Sequence, residues 1–227
     1  MHGDLLLGID LGTSGVKTGI YSLEGALVSI GRCNSNFIES PLPGWSQSNP
    51  DDWWEAVVCS IRRACTAAGI DPERIGGIGI SVFIPAVIPL DGRGTPLHPA
   101  ILYNDQRSVH TVEQLFRCLP KNSYQHLIGN PVVPGTSAVS SIAWLRDERP
   151  EIYKKTSLFG HANTYIMGML TGALKVDTAS ASLSGLAEQV DPGSWSEQLC
   201  TTLSIDRGRL PPIVSPHHVV GILHGVG

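Results

Sequence analysis

The most constraining stretch of this 227-residue chain lies at its start. A short apolar run of Leu5, Leu6, Leu7 and Ile9 ends at Asp10 and is followed by Gly12, Thr13, Ser14 and Gly15. Two glycines around two small hydroxyl residues supply turn chemistry, and strand-forming residues resume over 16–21, so the segment predicts a β-hairpin. A second turn at Glu24 and Gly25 leads into 27–31, and the chain therefore opens as a three-stranded meander. The first turn carries more than a turn requires. Successive amides of a glycine-bearing hairpin can converge on one concavity and donate to phosphate oxygens, and Thr13 and Ser14 add hydroxyl donors. Lys17, two residues past the turn, can bring an ammonium to the same oxygens, while Asp10 at the strand end can hold a magnesium ion through water. A bare G-x-x-G favours a plain turn. An acidic strand end, two hydroxyls and a lysine in one register shift the reading toward phosphate. The spacing is neither G-x-x-x-x-G-K nor G-x-G-x-x-G.

Downstream, a helix starts with Asn49 as cap, Pro50 in the first turn and Asp51 and Asp52 at its positive end, and Gly69 stops it. Trp54, Val57, Val58, Ile61, Ala64, Cys65 and Ala68 recur at helical spacing and predict one buried face. Residues 75–81 and 83–90 read as buried strands closed by the turn at Asp91 and Gly92, and 100–103 as another short strand. Further helices are predicted over 108–118, Ala138–Glu148, 163–170 and 194–203, the last preceded by Pro192 and Gly193. The two prolines within 130–135 suggest a join between subdomains. Strands come first as a meander and later alternate with helices, which predicts an α/β fold with a mixed sheet. Hydrophobic residues at 42% can furnish a sizeable core, and 25 glycines with 16 prolines fit short elements joined by tight connections.

A formal net charge of -4 leaves no basic stripe for a nucleic acid backbone. The five cysteines (Cys33, Cys59, Cys65, Cys118, Cys200) form an odd set without a C-x-x-C pair, which fits neither a disulfide framework nor a zinc site and points to a reducing, cytoplasmic setting. The start of the sequence has no room for a leader peptide, and no stretch has the apolar length of a membrane span. His217, His218 and His224 lack a carboxylate or cysteine to complete a metal set, and His161 reads as a helix-start residue.

The residues 10–17, D-L-G-T-S-G-V-K, resemble the first phosphate motif of the superfamily that unites sugar kinases, heat-shock chaperones and actin. Gly44, Trp45, Ser46 and Gln47, followed by Asn49, Pro50, Asp51, Asp52, Trp53 and Trp54, are similar to the segment before the first helix of xylulokinase-like FGGY carbohydrate kinases. The stretch 99–107, P-A-I-L-Y-N-D-Q-R, resembles their P-A-I-L-W-x-D-x-R block, and the likeness runs over essentially the whole chain. It implies a ribonuclease H-like (actin-like ATPase) domain over residues 1–227, with a mixed five-stranded sheet flanked by helices and a small helical insertion. Asp10 would organise magnesium, and Gly12, Thr13, Ser14, Gly15 and Lys17 would hold the phosphates of ATP. Ile84, Pro85, Asp105 and Arg107 would lie at the sugar, although Asp105 and Arg107 also fit a helix-start carboxylate and a structural ion pair. One of Trp53 and Trp54 would pack in the core, and the other could line the cleft.

Two departures bear on substrate and catalysis. Where xylulokinases carry Gln-Met-His-Gly at the sugar, this chain has Phe83, Ile84, Pro85 and Ala86, without a side-chain hydrogen-bond donor, and the family's lysine before the tryptophan of Ala138–Glu148 is replaced by Ser141. The G-G-x-D motif that opens the family's second domain, whose aspartate is the general base, is expected beyond Gly227, together with the adenine pocket. The expected function is therefore phosphoryl transfer from ATP to a ketose such as xylulose or a polyol, with this chain as the N-terminal half, inactive alone and partnered by the missing C-terminal kinase domain. A homodimer is compatible with the sequence. The alternative is a non-catalytic actin-fold binding module or pseudokinase remnant.

Overall fold

The computed structural model describes residues 3–191 and 193–223. The chain forms two compact units, one from the stretch up to Ile38 together with Asn49–Phe83, the other from Glu39–Ser48 together with the chain from Ile84 on.

The first unit holds the meander. Strands β1 (Leu5–Gly12), β2 (Gly15–Ser22) and β3 (Leu27–Asn34) pair antiparallel in sequence. After β4 (Gln47–Ser48), which belongs to the second unit, the chain forms α1 (Pro50–Ala67) and returns through a single turn of 3-10 helix to β5 (Ile75–Val82), parallel to β1. The order β3-β2-β1-β5 makes the sheet mixed, as expected. Alternation along β1 buries Leu5, Leu7, Ile9 and Leu11.

Helix α1 starts as its sequence predicts, with the Asn49 side chain accepting from the Asp51 amide at 3.2 Å and Pro50 in the first turn. Its buried stripe differs from the expected one: Trp53, Ala56, Val57, Ser60, Ala64 and Cys65 are buried, Trp54, Val58 and Ile61 half-buried, and Ala68 exposed. The reason is Ser60. Its hydroxyl pairs with that of Thr18 on β2 at 2.7 Å, so a polar residue belongs to the interior face and counting apolar residues alone rotates the stripe. Gly31 fixes how close the helix lies, because a Cβ there would stand 2.0 Å from the Ser60 carbonyl oxygen and 2.5 Å from the Ala64 amide nitrogen.

The second unit is built on an antiparallel sheet of order β4-β7-β6-β8, with β6 (Ala86–Leu90), β7 (Ala100–Leu102) and β8 (Leu158–Gly160). Its helices are α2 (Val109–Cys118), α3 (Lys121–Ile128), α4 (Ala138–Glu148), α5 (Pro150–Lys155), α6 (Ala162–Thr171), α7 (Thr178–Ser182) and α8 (Glu197–Thr202). A short parallel pair joins β9 (Val176–Asp177) and β10 (Ile213–Val214). Val87, Ile101, Tyr124, Ile142, Leu145 and Phe159 centre its core. No described helix is long and apolar enough to cross a membrane.

Three expectations are corrected. The mixed sheet has four strands among the described residues instead of five, because 83–90 is not one strand. The Phe83 amide still bonds to the Leu11 carbonyl at 2.9 Å, but Pro85, joined to Ile84 by a cis peptide, has no N–H to continue a ladder, and β6 pairs with β7 and β8. The stretch 130–135 is a turn inside the second unit, tied by the Ser137 hydroxyl accepting from the Val133 amide at 3.0 Å. The helix expected over 194–203 is shortened to Glu197–Thr202 with Ser196 as its cap, and Pro192 lies outside the described residues.

Candidate functional site

The hairpin between β1 and β2 is as tight as its glycines allow. Gly12 stands opposite Gly15, and Thr13 and Ser14 form the two-residue connection. Gly15 has φ +140°, and a Cβ on it would come within 2.5 Å of the Cys33 carbonyl oxygen, so this position accepts only glycine. Among the described residues the amides of Thr13 and Ser14 donate to no other backbone group, while the Ser14 carbonyl accepts from Ser35 at 3.3 Å. Two adjacent N–H groups at a surface turn thus remain for an external acceptor.

Register then sets the side chains. Asp10 lies opposite Lys17 on β2 and opposite Ser81 on β5, and Lys17 lies opposite Arg32 on β3. Ser81, Asp10, Lys17 and Arg32 therefore form one row across four strands spaced about 4.8 Å apart, and all four are exposed. Neither Asp10 nor Lys17 takes part in an ion pair among the described residues. A carboxylate with a lysine beside it and an arginine one strand further on, next to two unpartnered amides and two hydroxyls, can receive a polyanion together with a divalent cation. The sequence reading found Asp10, Gly12, Thr13, Ser14, Gly15 and Lys17, and the structure gathers all six at one hairpin. It did not assign Arg32 or Ser81 to this site; the strand register brings them into the row.

The second unit places the other candidates differently. Asp105 and Arg107 have fully enclosed side chains, 2.9 Å apart. One Asp105 oxygen accepts the Ser46 amide at 2.6 Å, the other the Arg107 amide at 2.8 Å, and the Arg107 Nε donates to both. The Arg107 guanidinium also donates to the Gln47 side chain at 3.1 Å and stacks 3.9 Å from the Trp45 ring centre, with Trp144 on another side at 5.1 Å. Burial pulls the Arg107 pKa below its ordinary value, and Asp105 pulls it back up. In this structure the pair faces inward, with Asp105 at 0% exposure, and knots the 44–47 loop to the start of the next helix, which is the structural ion pair that the sequence also allowed. Ile84 is half-buried and Pro85 buried at the entry to β6.

Trp53 is fully buried and meets Phe83 edge-on at 5.2 Å, whereas Trp54 lines a shallow hollow on α1 with Glu55, Val58 and Cys59. His161 is buried, its Nδ1 3.0 Å from the Ala86 carbonyl oxygen, and burial pushes its pKa down to about 4. His217 and His218 are exposed, and His224 lies outside the described residues. No cluster of three metal-ligating residues occurs among the described residues.

Known proteins resemble this chain in sequence and fold. The family model for the N-terminal domain of the FGGY family of carbohydrate kinases matches residues 5–225. The xylulose kinase of Staphylococcus xylosus is 29% identical over 218 residues, covering 96% of this chain and 44% of the relative, and the glycerol kinase of Thermococcus onnurineus is 28% identical with 95% and 44% covered. The crystal structure of xylulose kinase from Rhodospirillum rubrum superposes with a TM-score of 0.90 at 25% identity, over 97% of this chain and 44% of that one. Plasmodium falciparum glycerol kinase with ADP shares the fold, with a TM-score of 0.87 at 24% identity over 98% of this chain and 45% of that one. The chain thus spans somewhat under half the length of the relatives it matches. With the family match running over nearly its full extent, the chain belongs to the FGGY family of carbohydrate kinases and matches their N-terminal domain.

Proposed function

We propose that this chain supplies the phosphate-gripping half of an ATP-dependent carbohydrate kinase, which transfers the γ-phosphate to a hydroxyl of a ketose such as xylulose or of a polyol such as glycerol. The observation that carries the reading is the pair of unpartnered amides at Thr13 and Ser14, set beside an exposed Asp10 and Lys17 in one strand row. In this reading Gly12 and Gly15 let the hairpin backbone approach the nucleotide, the two amides and hydroxyls donate to phosphate oxygens, and Lys17 balances their charge. Asp10 fits a magnesium ion, held through water, because its carboxylate is exposed and makes no ion pair among the described residues. Bound there, the ion would neutralise charge on the transferred phosphoryl group.

The acceptor meets apolar walls in this chain. Ile84 and Pro85 carry no side-chain donor, so the sugar's hydroxyls are read by groups elsewhere, including the second domain. The general base is likewise assigned to an aspartate of that domain. Alone, the chain binds Mg-ATP weakly and turns over negligibly, since transfer needs nucleotide, metal and acceptor held together in one closed cleft.

The test joins the chain to its second kinase domain and measures ATP consumption over a panel of ketoses and polyols, with Asp10→Asn and Lys17→Met alongside. Turnover with at least one acceptor is expected, and each variant should lower kcat/KM roughly 10- to 1000-fold with an unchanged circular dichroism spectrum. A folded pair that neither turns over nor binds Mg-ATP refutes the proposal. The run Phe83, Ile84, Pro85 and Ala86 favours a second reading, a binding module without catalysis. That reading predicts Mg-ATP binding without phosphoryl transfer to any acceptor.

A further inference from the structure

Cys33 and Cys59 come from different elements of the first unit, and the seating of α1 on β3 brings them together. Ser29, Gly31 and Cys33 are the β3 residues on the face that α1 covers, as their alternation with exposed Val28, Ile30 and Arg32 shows. The Ser29 hydroxyl donates to the Ala64 carbonyl at 2.7 Å, Gly31 lies directly under the Ser60 carbonyl, and Arg63 donates to the Arg32 carbonyl at 2.6 Å. On the covered face, the step from Ser29 to Gly31 moves the contact back along α1 from Ala64 to Ser60. The next inward residue, Cys33, has the Cys59 thiol as a hydrogen-bonding neighbour.

We infer that Cys33 and Cys59 form a dithiol site that hydroperoxides convert reversibly into a disulfide, fastening the end of β3 to α1. Both residues are half-buried, so a small peroxide reaches them while bulky reagents are hindered. Cys65 and Cys200 are buried and Cys118 stands exposed on α2, which makes the two facing thiols distinct from the rest. Burial first, then the neighbouring Cys59 thiol, holds the Cys33 pKa above its ordinary value, with Arg63 pulling the other way. Both cysteines are free in the structure, so the resting pair is a dithiol.

The chemistry balances with one peroxide. A thiolate attacks a peroxide oxygen and breaks the O–O bond, giving a sulfenic acid and, after protonation, water or an alcohol. The second thiol then attacks the sulfenyl sulfur and expels water. Two thiols are oxidised and one peroxide is reduced, and a low-molecular-weight thiol restores the pair by exchange. Cys33 lies opposite Val16 and one residue from the strand partner of Gly15, so the crosslink ends directly beside the phosphate hairpin.

Tryptic cleavage after Arg32 and Arg62 releases residues 33–62, which hold Cys33 and Cys59 and no other cysteine. The chain is treated with dilute hydrogen peroxide, alkylated and digested. The expected product is this peptide without alkyl groups and lighter by two hydrogens, restored by dithiothreitol, with total free thiols falling from five to three. Cys59→Ser should abolish that product. A doubly alkylated 33–62 peptide, after the exposed Cys118 has already been oxidised, overturns the inference, as does a crosslink joining Cys33 to any other cysteine. Wild-type protein alone decides the matter should the variant fail to fold, because reduced and oxidised samples are compared by peptide mass and melting midpoint.

Discussion

Replacing Arg107 by lysine keeps the charge and removes the planar fork that reaches both Asp105 oxygens and stacks on Trp45. The carboxylate would stay enclosed with a poorer partner, and losing much of a buried pair costs about 3 kcal/mol. A urea denaturation midpoint well below wild type is the expected result, whereas a change under about 0.5 kcal/mol, the size of a surface substitution, would contradict the enclosed geometry. His161 makes a second prediction at this scale. Its folded pKa of about 4 lies below the ordinary 6.5 because burial disfavours the charged ring, despite the Ala86 carbonyl and Asp177. The unfolded chain therefore binds the proton more readily, so stability is full above pH 6.5 and falls as pH drops toward about 4. The full contribution is about 3 kcal/mol. His161→Phe should flatten the dependence of the urea midpoint between pH 7.5 and pH 5, and a variant that tracks wild type across that range would remove His161 as its source. The sequence offered a structural ion pair for Asp105 and Arg107 and a helix start for His161, but not the burial of either. The pairing of Asp105 with Arg107 follows from their two-residue spacing, but their enclosure depends on Trp45 and Trp144, far off in the chain.

At the scale of elements, the sheet and helix of the first unit meet through a glycine. Gly31→Ala places a methyl 2.0 Å from the Ser60 carbonyl oxygen, which is helix backbone and cannot rotate aside. Helix α1 must lift, and the overpacking should cost at least about 1–3 kcal/mol. Gly79→Ala is the control: nothing lies within 4 Å of its added carbon and its φ is not positive, so its thermal midpoint should stay near wild type. Equal losses in the two variants would mean that close approach is not what Gly31 provides. Elements with strong local signals were legible, among them the meander, the capped start of α1, and α4, which covers Ala138–Glu148 as predicted. Helix α3 was not. Its buried residues are only Tyr124 and Ile128, too few for a period, although Gly129 at φ +72° caps it. The second sheet was equally hidden, since β4 has two residues and pairs with β7 across more than fifty positions of sequence, beyond any local pattern.

On the scale of the whole molecule, the division into two units could not be read from composition, because the chain leaves the first unit at Ile38 and returns at Asn49 through a short stretch bearing Pro41, Pro43 and Gly44 that reads as an ordinary connection before a helix. The burial pattern along the strands gives the first unit's sheet two unlike faces. One face is covered by α1. The other carries the row Asp10, Lys17 and Arg32 next to the hairpin and, two rows away, Leu6 opposite Tyr21 opposite Leu27, with Val28 and Ile30 beside them on β3. Leu27 is 56% exposed and Ile30 44%, and apolar side chains gathered in this way on the outer strand of a sheet favour contact between copies as concentration rises. Val28→Lys together with Ile30→Thr interrupts the patch without touching the α1 side, so fold and melting midpoint should change little. Sedimentation velocity over a concentration series should then show the association of the parent chain reduced in the double variant, with Mg-ATP binding unaltered because both residues lie outside the charged row. If parent and variant sediment alike at every concentration, this face does not drive self-association, and the apolar row is tolerated in water as scattered surface hydrophobics are.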